Sequence, residues 1–303
     1  RRVDLRLRPG SADSLRKVVI LVQEESRVTA DPVFGIGGLF GLYGGVSCRV
    51  RNIWGRKHEL TAVLQYGEKQ FYSMGWRNPG FGRNSSLFLH AWGSRNIYPY
   101  KFPDYSPDFD LDFTRLFIRF GIKITRELHA GISAGGGRFT GSEKDISRSG
   151  SGTDRLRSSG LFISYDTRDW PVYPAAGWLV SFDASREMIE ESYAFSRLDF
   201  AVHTYVNMKG LSILALQCLG TVSKGDVPVY RRVHIGGGRT VRGFTAGSIG
   251  GDHSLVFSAE LRIPVRYERR HLSGLHAGWA CVVFLDSGRA WLRHERVSLS
   301  NIY

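Results

Sequence analysis

Along most of this chain apolar and polar residues alternate with a period of two. In Arg197 to Asn207, Leu198, Phe200, Val202 and Val206 fall on one side. Arg197, Asp199, His203, Tyr205 and Asn207 fall on the other. That is the period of a β-strand, whose successive side chains point to opposite faces. In Glu260 to Pro264, Glu260 and Arg262 oppose Leu261 and Ile263. In Val283 to Gly288, Phe284 and Asp286 oppose Val283 and Leu285. From Val33 onwards no segment carries a convincing helical period.

The spacing of turn residues predicts about thirteen strands, near 33–39, 43–51, 57–66, 70–78, 85–95, 110–123, 127–137, 157–167, 177–187, 194–207, 210–222, 253–264 and 275–291. Joins at one end are expected to be short: Asn52-Ile53-Trp54-Gly55, Asn78-Pro79-Gly80, Arg126-Glu127, Arg168 to Gly177 and Met208-Lys209-Gly210. Several at the other end are expected to be long: 96–109, 138–156 and 223–252. Short turns at one end and long loops at the other mark an up-and-down transmembrane barrel, apolar outside and polar within. Leu198, Phe200, Val202, Leu261, Ile263, Val283 and Leu285 are therefore predicted to face lipid, and Asp199, His203, Glu260 and Asp286 the lumen. Upstream, Val3–Arg8 and Lys17–Glu24 read as two strands, with Pro9-Gly10 ending the first and residues 26–32 forming a polar linker.

Composition fits this reading. The chain has 303 residues, with 36 Gly, 18 Phe, 13 Tyr and 7 Trp. A disordered chain is excluded, because 42% of the residues are hydrophobic and only 23% charged. No run of 18 apolar residues exists to make a transmembrane helix, but barrel strands cross in roughly ten alternating residues. Net charge is 41 minus 28, or +13. Such an excess suits a polyanion: nucleic acid, anionic lipid or a phosphate-bearing glycolipid. Arg115, Arg119 and Arg197 alternate with apolar neighbours and suit a polar lumen instead. Arg266, Arg269 and Arg270 read as a turn. Nucleic-acid binding would place aromatics and basics on a common face, which this spread does not do. Cys48, Cys218 and Cys281 are far apart and odd in number, so no disulfide framework or zinc site is expected.

Enzyme motifs fail on context. Gly131-Ile132-Ser133-Ala134-Gly135 fits G-x-S-x-G, but that elbow needs a following helix, and none is patterned here. Gly35 to Gly38 and Gly236 to Gly243 lack the Gly-Lys-Ser/Thr ending of a phosphate loop. The nine histidines form no H-E-x-x-H. No enzymatic activity and no cofactor are expected.

Three segments carry more than pattern: Tyr165-Asp166-Thr167-Arg168-Asp169-Trp170-Pro171 with Gly177; Gly236 to Phe244, containing Val241-Arg242-Gly243-Phe244; and the pair Ala259-Glu260-Leu261-Arg262-Ile263-Pro264 and Phe284-Leu285-Asp286-Ser287-Gly288. In this order and spacing, from about Val33 to Trp291, they resemble the outer-membrane protein assembly superfamily (BamA/TamA-like barrels sharing the bacterial surface antigen domain). Asn52-Ile53-Trp54-Gly55 looks like its early Asn-x-x-Gly turn.

The resemblance implies an all-β, antiparallel transmembrane β-barrel of sixteen strands in the bacterial outer membrane. It implies that the sixth extracellular loop folds back into the lumen and docks its Val241–Phe244 tip on the wall. Arg242 would meet Glu260 and Asp286 on the twelfth and thirteenth strands, a guanidinium being a rigid fork that suits carboxylates. Gly243 would supply an unusual backbone angle at the tip. Tyr165, Asp166, Arg168, Asp169 and Gly177 would form a periplasmic turn, structural in itself or touching an adjacent periplasmic domain.

Residues 1–27 would be the C-terminal end of a POTRA module, and 28–303 a barrel incomplete at its C-terminus. Twelve residues after Trp291, ending Ser300-Asn301-Ile302-Tyr303, allow at most one more strand, so the chain is expected to be a fragment lacking the last three. The function implied is insertion and assembly of other outer-membrane proteins; a two-partner-secretion pore is the alternative. Partners would be the outer-membrane bilayer, unfolded outer-membrane protein clients, and periplasmic or lipoprotein accessory subunits, with no nucleic acid. Assembly members work through a weak seam beside the first strand, here bearing Gly35, Gly37, Gly38 and Gly41.

Overall fold

The structure, a computed structural model, describes residues 2–9, 16–23, 26–37, 41–80, 86–100, 109–171, 173–208, 212–268 and 277–295. Strands β1 (Arg2–Pro9) and β2 (Arg16–Gln23) pair antiparallel in a sheet of their own. The remaining long strands form one thirteen-stranded antiparallel sheet. They are β3 (Val28–Gly37), β4 (Gly41–Ile53), β5 (His58–Gly67), β6 (Gln70–Asn78), β7 (Leu87–Tyr100), β8 (Phe109–Lys123), β9 (Leu128–Gly141), β10 (Thr153–Asp166), β11 (Gly177–Ile189), β12 (Tyr193–Asn207), β13 (Ile213–Gly225), β16 (His253–Glu268) and β17 (Ala277–Trp291). Each pairs with its neighbour in chain order; β3 and β17 are the end strands, and among the described residues the sheet is not closed. Two short strands, β14 (Val233–Ile235) and β15 (Ile249–Gly251), pair inside the connection from β13 to β16.

Residues opposite one another across an antiparallel ladder share a face. One row runs Ser254, Thr221, Asp199, Asp183, Phe162, Gly131, Gly121, Phe88. An adjacent row on the other face runs Val222, Leu198, Ala184, Leu161, Ile132, Phe120, Leu89. The polar row lies on the concave side, where the β13–β16 connection packs; the apolar row faces outward. Leu161 is 63% exposed and Leu285 74%, surfaces that water would not tolerate in such number but lipid would. Along β8 and onto the residue after it, the outward apolar band runs from Leu116 to Ile124. Eight steps of about 3.4 Å, tilted about 40°, give a height of about 21 Å, close to a hydrocarbon core. At the short-turn end the outer face carries Trp76, Tyr165, Trp178 and Trp279, an aromatic girdle.

Small residues on the inner face make room for large ones. A Cβ on Gly121 would lie 2.4 Å from Phe88 Cζ, and one on Gly135 2.5 Å from Phe117 Cδ1. The G-x-S-x-G stretch is therefore continuous strand, with Gly131 and Gly135 yielding space to Phe162 and Phe117.

Several boundaries differ from expectation. Residues 28–32 are not linker: β3 starts at Val28 and pairs from Val28↔Val50 through Pro32↔Val46. Proline is tolerated there because an end strand has one edge without ladder partners. The long joins shrink, because β7 runs to Tyr100, β9 to Gly141 and β13 to Gly225, while β10 starts at Thr153. Joins at that end include 68–69 and 190–192, so the length asymmetry rests mainly on 226–252. The alternation had faded at the extracellular strand ends because the inner face there mixes buried polar residues, Asp154 and Ser223, with buried apolar ones, Phe139 and Leu156. Arg266 belongs to β16 rather than to a turn. Arg269, Arg270, Lys209, Gly210, Gly38, Glu24, Gly10 and residues 296–303 lie outside the described residues.

Candidate functional site: the lumenal loop

The connection 226–252 leaves β13 at Gly225, whose φ of +112° suits glycine. A three-residue 3-10 helix, Val229–Arg231, leads into β14; β15 returns the chain to β16. Between them a tight turn closes on itself. Gly236 N–H donates to Thr240 Oγ1 (2.8 Å), that hydroxyl donates back to the Gly236 carbonyl (3.0 Å), and Gly237 N–H donates to the Val241 carbonyl (3.0 Å). Gly237 and Gly243 adopt φ of +86° and +90°. Both angles lie in the left-handed half that L side chains avoid.

The turn presents Val241 and Arg242 to the inner face of β16 and β17. Val241 is buried with Ile235, Val256 and Ala290, and the missing side chain of Gly288 is what lets it seat: a Cβ there would lie 2.7 Å from Val241 Cγ2. Arg242 Nε and Nη2 donate to Asp286 Oδ2 and Oδ1, both at 2.6 Å, and its backbone N–H donates to Oδ2 at 3.0 Å. Nη1 donates to Glu260 Oε1 (2.6 Å) and Nη2 also to Ser258 Oγ (3.0 Å). The guanidinium carbon lies 3.7 Å from the Phe284 ring centroid. Hydrogen bonding to Asp286 raises the Arg242 pKa further. Glu260 also accepts from Arg262 Nε at 2.9 Å, and Asp286 from Ser258 Oγ at 2.6 Å. The structure thus brings Arg242, Glu260 and Asp286 together inside the curved sheet. Gly243 lets the chain turn away, and Phe244 follows, 39% exposed.

A second attachment holds the base of the loop, and none of its residues but Arg197 was singled out from the sequence. The Tyr230 ring stacks on Phe139 with centroids 3.7 Å apart and planes at 7°. Its hydroxyl donates to Asp154 Oδ2 (2.6 Å), and Asp154 also accepts from the backbone N–H of Arg148 (2.8 Å) and Ser149 (2.9 Å). Arg231 pairs bidentately with Glu187, and Arg197 donates to the Arg231 carbonyl. Around these polar groups Phe109, Leu111, Phe113, Leu156, Ile189 and Phe195 form a buried cluster across the extracellular ends of β8 to β12. The only sequence cue was Tyr230-Arg231-Arg232 just before the glycines of the longest loop.

The Tyr165–Gly177 segment lies at the opposite end of the wall and closes a turn by itself. Arg168 forks onto Asp166, Nε to Oδ1 and Nη2 to Oδ2, both at 2.8 Å. Asp169 Oδ1 accepts from the backbone N–H of Trp170 (2.8 Å), Ala175 (3.0 Å) and Ala176 (3.3 Å). Those donors, Ala175 first, hold its carboxyl below the usual carboxylate range. Gly177 has a φ of +104°, and a Cβ on it would lie 2.4 Å from the Thr167 carbonyl oxygen. Tyr165 faces outward, in the aromatic girdle. Among the described residues no group of three or more His, Cys, Asp or Glu side chains is placed to hold a metal ion.

An antiparallel wall, apolar outside and polar inside, with a loop tied to its inner face, defines a transmembrane β-barrel protein. A family profile described as the Omp85 superfamily domain matches residues 52–301. The chain belongs to the Omp85 superfamily, whose barrels lie in the bacterial outer membrane. No characterised protein sequence matches it significantly. Solved structures share its fold. BamA from Haemophilus ducreyi, solved without POTRA domains 1–3, gives a TM-score of 0.68 at 14% identity, covering 96% of this chain and 63% of BamA. CdiB from Escherichia coli gives 0.58 at 11% identity, covering 95% of this chain and 63% of CdiB. CdiB from Acinetobacter baumannii gives 0.61 at 13%, covering 97% and 56%. The chain thus spans under two thirds of each relative.

Proposed function

We propose that this chain forms the barrel wall of a protein that inserts and assembles other outer-membrane barrel proteins, residues 1–27 being the end of a preceding POTRA module. Unfolded outer-membrane proteins are its clients, and periplasmic or lipoprotein subunits accompany it. No cofactor takes part. The observation that carries the reading is β3. Because β1 and β2 pair in a sheet of their own, β3 is the first strand of the wall. It contains Pro32, Gly35 and Gly37 within ten residues. Proline lacks a ladder donor, and glycine in a strand weakens pairing. Such a strand leaves a poorly committed edge, which a client strand joins by β-augmentation. The loop attachments, with Arg242 on Glu260 and Asp286, keep the wall from β8 to β17 rigid while that edge opens.

The test is site-specific crosslinking from β3 in the intact protein. With the three native cysteines replaced by serine, Phe34→Cys should capture the terminal strand of several different outer-membrane proteins during their assembly. Capture of one dedicated secreted protein from lumenal positions such as Asp199, with none at Phe34, would overturn the assembly reading. It would favour the secretion-pore alternative, which the likeness to the two-partner-secretion barrel CdiB supports.

A further inference from the structure

The outer wall is not uniformly apolar. Above the apolar band, at the end that carries the 226–252 loop, outward positions on β9 to β13 hold Arg138, Arg155, Arg157, Arg186 and Lys224. All five are exposed. Outward positions at the opposite end of these strands carry no charge, such as Tyr165, Trp178, Thr204 and Leu214. The cations are therefore confined to one rim.

Two of them oppose each other directly. Arg138 and Arg155 are register partners across β9 and β10. Like charges at directly opposed positions destabilise a sheet unless something of opposite sign lies between them. Local carboxylates do not supply it. Asp112 is taken by Arg95, which forks onto it at 2.7 and 3.0 Å. Glu190 accepts from the Arg155 backbone N–H rather than its guanidinium. Glu191 stands 3.5 Å from Arg157, and both are 78% exposed.

Two concavities border the pair. On one side a polar hollow of about 370 Å³ is lined by Arg95, Asp112, Thr114, Arg138 and Thr140. On the other, a shallow groove of about 840 Å³ runs over β9 to β13. Its floor is lowered by the small outward residues Ala134, Ser159 and Ala184, and it is bounded by Leu161 and Leu198 below and by Arg186 and Lys224 above. Cations and hydroxyls beside a hollow, directly over an apolar groove that opens into the bilayer, match an amphiphile with an anionic sugar head and hydrocarbon chains. Guanidinium groups favour phosphate because their forked donors meet two of its oxygens.

We propose that the outer wall of β9 to β13 binds a phosphorylated, multiply acylated glycolipid of the outer leaflet. Arg138, Arg155, Arg186 and Lys224 take its phosphates, and the groove over Ala134, Ser159 and Ala184 takes an acyl chain. The site depends on the wall standing in the outer membrane and is independent of whether the protein assembles clients or secretes one.

The experiment is titration of the intact protein in a neutral detergent, read by native mass spectrometry. Four probes are used: a bis-phosphorylated hexa-acyl disaccharide lipid, the same lipid after phosphatase treatment, phosphatidylglycerol and inorganic phosphate. The phosphorylated disaccharide lipid should bind at least tenfold more tightly than the other three. R138Q/R155Q/R186Q/K224Q should lose that tenfold preference, and A184W should weaken the acylated lipid severalfold by filling the groove. Loss of gel-mobility compactness would reveal a variant that fails to fold; the four-probe comparison on the unaltered protein stands without any variant. Equal binding of the phosphatase-treated lipid or of phosphatidylglycerol overturns the proposal, as does equal binding by a folded quadruple variant. Full displacement of the lipid by millimolar inorganic phosphate also overturns it, because the site would then take free phosphate.

Discussion

The 226–252 loop is tied to the inner wall at its tip and at its base, and both ties pair an arginine with carboxylate on the wall. Their surroundings differ. At the tip, Arg242 is 22% exposed and shares its partners: Glu260 keeps Arg262, and Asp286 keeps Ser258, when Arg242 is absent. At the base, Arg231 and Glu187 are 13% and 7% exposed, Asp154 is fully buried, and aromatic rings enclose the whole. Charge–charge attraction grows as water is excluded, and so does the cost of stranding one partner. The tip is thus a redundant clasp, open to water at Arg242 and Glu260 though Asp286 is 3% exposed, whereas the base is a dry one in which Arg231 and Glu187 depend on each other.

Breaking the base should have the largest effect. Glu187→Ala leaves Arg231 buried without its carboxylate and should destabilise the folded wall by about 3–5 kcal/mol. A fall in the temperature at which compact gel mobility is lost would report it. Glu187→Met with Arg231→Met should recover much of that loss, since no charge is then stranded; a double variant as unstable as the single one would refute the dry-clasp account. Next comes Arg242→Ala, at about 2–3 kcal/mol, reduced from the dry value by the wet lumen and the surviving partners. Its signature should be protease cleavage within 237–245 while the wall stays compact, with assembly activity impaired more than membrane insertion.

Tyr230→Phe removes one hydrogen bond from Asp154 but keeps the stack on Phe139, so about 1 kcal/mol is expected in the same thermal assay. Asp169→Asn, at the far turn, should be the smallest and should leave both clasps protected from protease. The folded pKa of Asp169 lies below its ordinary 3.8. Its contribution is therefore full above that value and lost as pH falls through the folded one. The variant should differ from the unaltered protein at neutral pH and converge with it in acid.

Alternation is a local property, and what depends on it was legible in the residues. A period of two assigns each side chain to a face whatever its neighbours do, so Leu198, Leu261 and Leu285 could be set against Asp199, Glu260 and Asp286 before any strand was paired. The Val241–Phe244 segment and the carboxylates of β16 and β17 were legible as well, through motifs whose order survives in the chain. Strand ends were less so. Period two fades where the buried inner face mixes polar and apolar residues under the loop, as at Tyr98, Phe139 and Ser223, which is why β7, β9 and β13 outrun their expected limits; Val28–Pro32, mostly exposed, looked like a linker. What required the tertiary structure is register. Tyr230 meets Asp154 across 76 positions and Arg231 meets Glu187 across 44, distances over which no pattern reaches. Arg138 and Arg155 face each other only because β9 and β10 pair without a slip; one residue of shift would turn one of the two strands inside out. The sequence by itself determined which side of each strand is polar. Only the pairing of distant strands decided which polar groups meet, because hydrogen-bond registry is set between strands and not within them.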